Sequence, residues 1–393
     1  MGIKDKLTDK LIIDTTEVPI DIFFGYNTKQ KDTQILLEIK KTYPTKYNIN
    51  NDTLIGIEVE VENILCRADC APIWKHKEDG SLRNYGVEYI SQPIQAQYIP
   101  SVLFYLHRKL KRENVPLYTP RTSIHVHINV QDMSFKQIQA FTILYLCFES
   151  LLYEYAGKNR NKSIFCVPLS HAGYVKFLMD FFHYKDNRNR HFMSFFYDWH
   201  KYTGFNLNPI STLGTIEFRH LSGTDDVEYI SKWVSIILAL KEASLVYKVE
   251  DLFKVIAELN TNSEYYIFAS NIFKDSLQFF PNINTLQEIM EKDISHIKEC
   301  FFQKKKIEID ADIFEESYFY TRHKIQKLKK EEFNYNEYSI VELERQLTKL
   351  YKMHLISNKK EDKEKIKLEY TKIYSILVEK KKTIAALENE KLW

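Results

Sequence analysis

Three glutamates occupy alternate positions in one short segment of the sequence. Glu58, Glu60 and Glu62 alternate with apolar residues from residue 54 onward, and this period of two predicts a β-strand with one acidic and one apolar face. Like charges on one face of a strand repel each other unless a positive charge lies among them. The acidic face therefore predicts either a bound cation or an edge strand that turns its carboxylates toward solvent.

Three later segments repeat this alternation and add other polar groups. They cover residues 87–91, 124–130 and 215–221, and each has apolar residues on its second face. Their polar residues are Glu88 in the first, His125, His127 and Asn129 in the second, and Glu217 and Arg219 in the third. Carboxylates with one imidazole suit Mg²⁺ or Mn²⁺, whose sites are completed by water and substrate phosphates. Four such segments in one chain favour the cation over the solvent-exposed edge strand.

Helical stretches are predicted between these strands, at roughly residues 101–112, 135–155, 172–182 and 227–247. The second and fourth have apolar residues at a spacing of three to four, so each needs an apolar surface to cover. The combination predicts an α+β fold. We expect a largely antiparallel sheet whose apolar face packs on helices, while its polar face lines an open site.

The chain divides into three predicted parts. Residues 1–51 are interpreted as an N-terminal cover or docking segment, because polar clusters and prolines interrupt their short apolar pieces. Residues 52–250 hold the four strands and are interpreted as the catalytic domain. Residues 251–393 contain no glycine and are predicted to be helical. The spacing of apolar residues from Ile366 to Leu387 is typical of a coiled coil, so we expect a helical hairpin there.

Composition favours a globular protein of the cytoplasm. The 393 residues are 44% hydrophobic, and such a length suffices for roughly two to three domains. The formal net charge is only +2, too small a field to attract nucleic acid or membrane without a local patch. Five cysteines, an odd number, argue against a disulfide framework and for a reducing compartment. The longest apolar stretch, residues 139–155, contains Glu149 and Glu154 and is predicted to be a buried helix, so no membrane partner is expected.

Five ordered motifs resemble those of the putative amidoligase family, which belongs with glutamine synthetase and glutamate-cysteine ligase. They are Gly56-Ile-Glu58-Val-Glu60, Trp74 with Asp79-Gly80-Ser81-Leu82, Gly86-Val-Glu88-Tyr-Ile-Ser91-Gln-Pro93, Ser123-Ile-His125-Val-His127-Ile-Asn129, and Thr215-Ile-Glu217-Phe-Arg219 with Gly223-Thr224. The resemblance covers about half of the chain and says nothing about residues 1–50 or 251–393. It implies a sheet of the glutamine synthetase type. It also implies ATP-dependent joining of a carboxylate to an amine through an acyl phosphate, with Mg²⁺ or Mn²⁺ as cofactor.

The resemblance further implies roles for individual residues. The metal ligands would be Glu58, Glu60, Glu88, His125 and Glu217, and His125 could instead meet a phosphate. His127 and Asn129 would line the nucleotide. Arg219 would act with Glu217 in catalysis and bind the nucleotide phosphates, for which a planar guanidinium suits better than an ammonium group.

Four further residues are assigned to catalysis or to substrate. Arg160 would contact phosphate or the acid substrate, or else would only cap the end of a helix. Asn206 and Ser91 would bind substrate. Asp79 would touch the amine or a metal, or would only form the turn with Gly80.

The substrates and the activity stay open at this point. Small-molecule or peptide carboxylates and amines are the expected partners, and a modified nucleobase also fits a polar sheet face. Two other functions remain: a phosphotransferase of the same superfold, and a non-catalytic scaffold or binding protein that retains the site. Residues 183–202 mix basic and aromatic side chains, so they are either a lid anchored by its aromatic rings or a surface that stacks nucleobases. The near-neutral charge disfavours a nucleic-acid module.

The apolar stripe from Ile366 to Leu387 predicts self-association or partner docking through the C-terminal helices, because one hairpin would leave part of the stripe uncovered. Deleting residues 336–393 should therefore change the particle mass measured by light scattering. If the truncated protein keeps its assembly state and loses no partner, the tail only braces the catalytic domain.

Overall fold

The computed structural model describes residues 16–24, 26, 33–64, 67–111, 115–157, 159–171, 175–184, 192–302, 372, 373 and 376. The predicted C-terminal hairpin therefore lies almost entirely outside the described residues. Contacts between Cα atoms divide the chain into two units, residues 1–305 and residues 306–393. The description below concerns the first unit.

One open sheet of seven strands forms the centre of this unit. The strands are β1 (Leu54–Val61), β2 (Trp74–Glu78), β3 (Val87–Ser91), β4 (Ile94–Gln95), β5 (Ser123–Asn129), β6 (Phe205–Asn206) and β7 (Thr215–Ser222). Their order is β2-β3-β1-β5-β7-β6, and the short β4 pairs with the beginning of β1. All these pairs are antiparallel. The α+β class and the antiparallel sheet predicted from the sequence are confirmed.

The described part of the chain also contains helices of four to twenty residues. They are α1 (Asp21–Phe24), α2 (Thr33–Thr42), α3 (Ile99–Leu110), α4 (Phe135–Cys147), α5 (Glu149–Ala156), α6 (Val175–Phe182), α7 (Met193–Tyr197), α8 (Ile210–Leu213), α9 (Val227–Val246), α10 (Val249–Glu258), α11 (Asn262–Phe273) and α12 (Leu286–Phe302). Short 3₁₀ turns lie at Ala96–Tyr98, Arg160–Lys162, Leu169–His171, Lys274–Phe279 and Ile283–Thr285. The helical stretches expected from apolar periodicity correspond to α3, to α4 with α5, to α6 and to α9.

Local capping sets the start of the two helices that cover the sheet. A capping box opens α4, in which Ser134 and Gln137 exchange side-chain to backbone hydrogen bonds. The carboxylate of Asp226 accepts the amide N–H of Tyr229 at the start of α9. Such caps satisfy amide groups that the first turn of a helix leaves unpaired. Both helices can therefore begin directly after a strand or loop of the sheet.

The apolar face of the sheet packs against α4 and α9, which also contact each other. Phe218 of β7 is fully buried there. Its ring contacts Phe141 and Tyr145 of α4 and Trp233 of α9. Because side chains alternate along a strand, burying Phe218 turns its neighbour Glu217 to the opposite, polar face.

The aromatic residues after residue 191 anchor their segment to this core. Phe192, Phe196 and Trp199 are buried. The ring of Phe192 packs on Phe135 at the start of α4, and the indole N–H of Trp199 donates to the carbonyl of Phe205. These three rings cannot stack nucleobases while they are buried. Their packing is the anchoring that the lid interpretation expects, although movement of a lid stays a prediction.

Part of the N-terminal segment docks on the same unit. Ile20 is fully buried, and its amide donates to the carbonyl of Met133. At the other end of the unit, α10 and α12 pack against α4. The limits of the catalytic domain at residues 52–250 stay a prediction, since they concern where the chemistry lies. No helix among the described residues is long and apolar enough to cross a membrane.

The burial of Phe218 allows a test of which way β7 faces. Phe218→Ala should lower the free energy of unfolding by about 3–5 kcal/mol, because it leaves a cavity between β7 and the covering helices. Urea titration followed by circular dichroism measures this change. A loss below about 1 kcal/mol, well under the usual cost of such a truncation, would show that the ring does not lie in the core.

Candidate functional site

Strand register brings the predicted metal ligands together on the polar face of the sheet. Glu58 of β1 lies opposite His125 of β5, and Glu60 of β1 lies opposite Glu88 of β3. Residues directly opposite in antiparallel strands have Cβ atoms about 4.5–5.5 Å apart. On β7, Glu217 lies opposite His127 of β5 and Asn206 of β6. Residues far apart in sequence therefore form one continuous polar surface.

Glu58 lies at the centre of this surface. Its Oε2 is 3.0 Å from Nδ1 of His125, and its Oε1 is 3.3 Å from Nε2 of His127. The same Nδ1 of His125 is 3.3 Å from Oε1 of Glu217. One carboxylate thus contacts both imidazoles, and one imidazole contacts carboxylates from two strands.

Three overlapping groups of side chains in the described residues have ligand atoms within 4.8 Å of one another. They are Glu58 with His127 and Glu217, Glu58 with Glu88 and His125, and Glu60 with Asp79 and Glu88. All five residues predicted to bind metal belong to these groups. His127 and Asp79 belong to them as well, although His127 was assigned to the nucleotide, and a metal was only one of the alternatives for Asp79.

The charges on this face perturb one another strongly. Burial by itself would raise the pKa of Glu58, but the imidazoles of His127 and His125 hold that pKa far below its usual value. Burial would also raise the pKa of Glu217, and the charges of His127, His125 and Arg219 lower it. Positive groups of the protein therefore keep these two carboxylates ionised inside a buried site.

Glu88 is perturbed in the opposite direction. Burial and the negative charge of Glu58 raise the pKa of Glu88 to about 7. The ammonium group of Lys77, 2.7 Å from Oε2 of Glu88, opposes this rise only in part. A further positive charge among these carboxylates would favour their ionised forms.

The donor set suits a hard divalent cation. Carboxylates from three strands and two imidazoles converge, and oxygen-rich sites with few nitrogens are typical of Mg²⁺ and Mn²⁺. Nε2 of His127 is buried, and it lies 3.3 Å from Oε1 of Glu58. Its Nδ1 lies 3.0 Å from the hydroxyl of Thr215, which fixes the ring with Nε2 toward Glu58. A buried nitrogen held in this way is what a metal ligand needs.

Arg219 and Asn206 both hold the carboxylate of Glu217. Asn206 donates to Oε2 of Glu217 over 2.7 Å, and Nη1 of Arg219 donates to Oε1. Nε of Arg219 also donates to the carbonyl of Phe165 over 3.0 Å. Asn206 was predicted to bind substrate, but its side-chain amide is used here to orient a candidate metal ligand. The substrate role of Asn206 remains a prediction.

Arg160 lies beneath β7 and not among the carboxylates. The register between β5 and β7 shifts, so that Arg219 and His220 lie opposite His125 alone. Such a bulge removes backbone groups from the ladder and redirects the side chains. Buried Arg160 satisfies both carbonyls, from Nε to His220 over 2.8 Å and from Nη2 to Arg219 over 2.7 Å. These contacts fix the strand that carries Glu217 and Arg219, while a contact of Arg160 with substrate stays a prediction.

The remaining predicted residues have local partners. The hydroxyl of Ser91 accepts the amide of Ile57 and donates to the carbonyl of Gln92. Asp79 accepts the amide and hydroxyl of Ser81 through Oδ1, so it forms the expected turn and also belongs to a candidate metal group. These bonds give Ser91 a structural role, and its predicted substrate contact is untested.

A cavity of about 180 Å³ opens beside the carboxylates. His127, Asn129 and Thr215 line one side, and apolar residues such as Leu54 and Pro93 line another. The two residues predicted to line a nucleotide therefore share one cavity. Its apolar walls suit a flat, weakly polar group next to the charged site.

Several residues that support the site were not predicted from the sequence. Ser123 contacts Glu60 and His125, Thr215 contacts His127, and Lys77 contacts Glu88. What could have indicated these residues is their place in the strand pairing. Lys77 lies opposite Glu88 in the neighbouring strand, and Thr215 lies opposite Asn129. This indication can be used only once the strand register is known.

The two bonds from Arg160 lead to a test of its role. Arg160→Lys should lower the free energy of unfolding by about 1–3 kcal/mol, because a single ammonium group leaves at least one buried carbonyl poorly paired. Urea titration of the variant and of the wild type measures the change. Unchanged stability together with lost activity would instead show that Arg160 contacts substrate.

The chain was also compared with known proteins. The model of the family described as "Putative amidoligase enzyme" matches residues 23–241, which are more than half of the 393 residues. A search of curated proteins finds no significant match. The matched range contains all of the strands and every residue of the three candidate metal groups. The chain therefore belongs to the putative amidoligase family, whose members are described as ligase-type enzymes.

Proposed function

We propose that this protein is an ATP-dependent carboxylate–amine ligase that forms an amide or isopeptide bond through an acyl phosphate. A carboxylate oxygen attacks the γ-phosphorus and ADP leaves; the amine then attacks the acyl carbon, phosphate leaves and the amine loses a proton. The observation that supports this proposal most is the convergence of Glu58, Glu60, Glu88 and Glu217 with two imidazoles on one open sheet face.

Divalent cations are part of this proposal. Glu58, His125, His127 and Glu217 would hold cations at one part of the face, and Glu60, Asp79 and Glu88 at the other. Bound Mg²⁺ or Mn²⁺ would neutralise charge on the triphosphate and on the attacking carboxylate. Without cations, the ionised carboxylates would repel both anionic substrates.

Arg219 is the residue that we assign to the transferring phosphoryl group. Its side chain is mostly buried, and its contacts with Glu217 and the carbonyl of Phe165 fix the guanidinium plane. A guanidinium whose N–H donors are already held in place stabilises the developing charge of the phosphoryl group, because it does not have to reorient during the reaction. The low exposure of this group strengthens the interaction, because little water screens it.

The cavity lined by His127 and Asn129 would take the nucleoside part of ATP. Its apolar walls suit the faces of a nucleobase, and its polar side adjoins the carboxylates that would meet the phosphates through cations. The acid and the amine would then approach along the open polar face. Small-molecule or peptide substrates both fit this arrangement.

Trapping with hydroxylamine tests the proposal without a known amine, because hydroxylamine attacks an acyl phosphate and gives a hydroxamate. Candidate acids are incubated with the protein, ATP, Mg²⁺ and hydroxylamine, and mass spectrometry measures ADP and hydroxamate. We expect both products in equal amounts, and neither in EDTA. Arg219→Lys should lower the rate by about 10²-fold or more, because it removes the two-pronged donor but keeps the charge.

Arg108→Lys, an exposed change on α3, is the matched control and should keep the wild-type rate. A phosphorylated acceptor without hydroxamate would identify a phosphotransferase instead. Absence of ADP with every acid would favour the non-catalytic scaffold.

A further inference from the structure

The hydroxyl of Ser123 lies between two of the candidate metal groups. Its Oγ is 2.6 Å from Oε2 of Glu60 and 2.8 Å from Nε2 of His125. The backbone amide of Ser123 donates to the same Oε2 over 2.8 Å. All three side chains are buried, so water does not compete with these bonds. One hydroxyl thus joins Glu60, a member of the group with Asp79, to His125, a member of the group with Glu58.

The chemistry of the three groups fixes the direction of these hydrogen bonds. An ionised carboxylate only accepts, so the single hydroxyl proton of Ser123 goes to Glu60. The oxygen of Ser123 can then only accept from His125, and Nε2 of His125 must carry a proton. In a neutral imidazole that proton leaves the lone pair on Nδ1.

That lone pair is directed at negative charge. Nδ1 of His125 lies 3.0 Å from Oε2 of Glu58 and 3.3 Å from Oε1 of Glu217. A lone pair and two carboxylate oxygens at such distances repel one another unless a second proton on Nδ1 or a cation lies among them. If a cation binds there, Nδ1 of His125 would be free to serve as one of its ligands beside these carboxylates.

We propose that Ser123 is a positioning residue of the cation site, which it organises through the tautomer of His125 and the orientation of Glu60. The hydroxyl holds Nε2 of His125 in the protonated form and so directs Nδ1 to the cation. It also fixes Oε2 of Glu60, which leaves Oε1 for the neighbouring group. This inference rests on the proposed function, because it assumes that the site binds divalent cations. Ser123 itself contacts neither the cation nor a substrate.

The backbone of Ser123 is held in place without its hydroxyl. Its backbone pairs with Ser222 in the ladder. The hydrogen bond from its backbone N–H to Glu60 does not involve the side chain of Ser123. Loss of the hydroxyl therefore should change the metal ligands more than the fold. Hydrogen-bond partners of metal ligands typically contribute about 10- to 100-fold to metal affinity.

The test uses Mn²⁺ alone as the probe with the full chain. Titration followed by the electron paramagnetic resonance of free Mn²⁺ compares the wild type with Ser123→Ala, Ser123→Thr and Ser231→Ala. Ser123→Ala should weaken Mn²⁺ binding by about 10- to 100-fold, and Ser123→Thr, which keeps a hydroxyl, should restore most of it. Ser231 is the matched control, since its buried hydroxyl donates to the carbonyl of Val227 in its own helix. The Ser231→Ala variant should bind Mn²⁺ as the wild type does.

A second measurement uses only the wild type and so does not depend on how a variant folds. Nitrogen NMR of ¹⁵N-labelled histidine in the Mg²⁺-loaded protein should show His125 with its proton on Nε2. A proton on Nδ1, or equal Mn²⁺ affinity of Ser123→Ala and wild type, would overturn this inference alone. Absence of Mn²⁺ binding by the wild type would overturn both the inference and the proposed function.

Discussion

Mutual repulsion among carboxylates on one largely buried sheet face is the constraint on which this structure depends. Glu58, Glu60, Glu88 and Glu217 converge from three strands on one sheet face, where little water screens their charges. The protein offsets the repulsion only in part. Two imidazoles and Arg219 keep Glu58 and Glu217 ionised, whereas the raised pKa of Glu88 shows that one carboxylate is left under-compensated. Under the proposed function, a bound cation would relieve this imbalance by bringing positive charge among the carboxylates.

Burial of the apolar face of the sheet offsets the electrostatic cost of the acidic face. The strands that turn carboxylates to the site have buried apolar side chains on their other face, and Phe218 of β7 packs there against α4 and α9. The position of β7 is fixed further at its bulge opposite His125. There the guanidinium of Arg160 binds two carbonyls, so that the strand carrying Glu217 and Arg219 is held from beneath. Stability and site geometry are therefore maintained by different side chains of the same strands.

Local pattern was enough to predict β1, β3, β5 and β7 and their two faces, because alternation at a period of two shows which side chains point together. The shorter strands β2, β4 and β6 were not predicted. Glu58, His125 and Glu217 were placed on one polar face in this way, and their side chains do lie together there. The family match agrees with the resemblance of their motifs. The roles of Arg160 and Ser123 could not be predicted. Their partners are set by the strand register and by the bulge between β5 and β7, which depend on contacts between residues distant in sequence. For the same reason the sequence assigned His127 to the nucleotide and Asp79 to the substrate, although both lie in the candidate metal groups: alternation shows which face a side chain lies on but not its distance from other side chains.

The position of a bound ion tests the central claim most directly. Crystals of the protein grown with Mn²⁺ and a non-hydrolysable ATP analogue would be measured near the manganese absorption edge. The account predicts anomalous difference peaks on the polar face, within coordination distance of Glu58 and His125 and of at least one carboxylate among Glu60, Glu88 and Glu217. Bound nucleotide with no peak on this face, or with manganese coordinated by other residues, would contradict it.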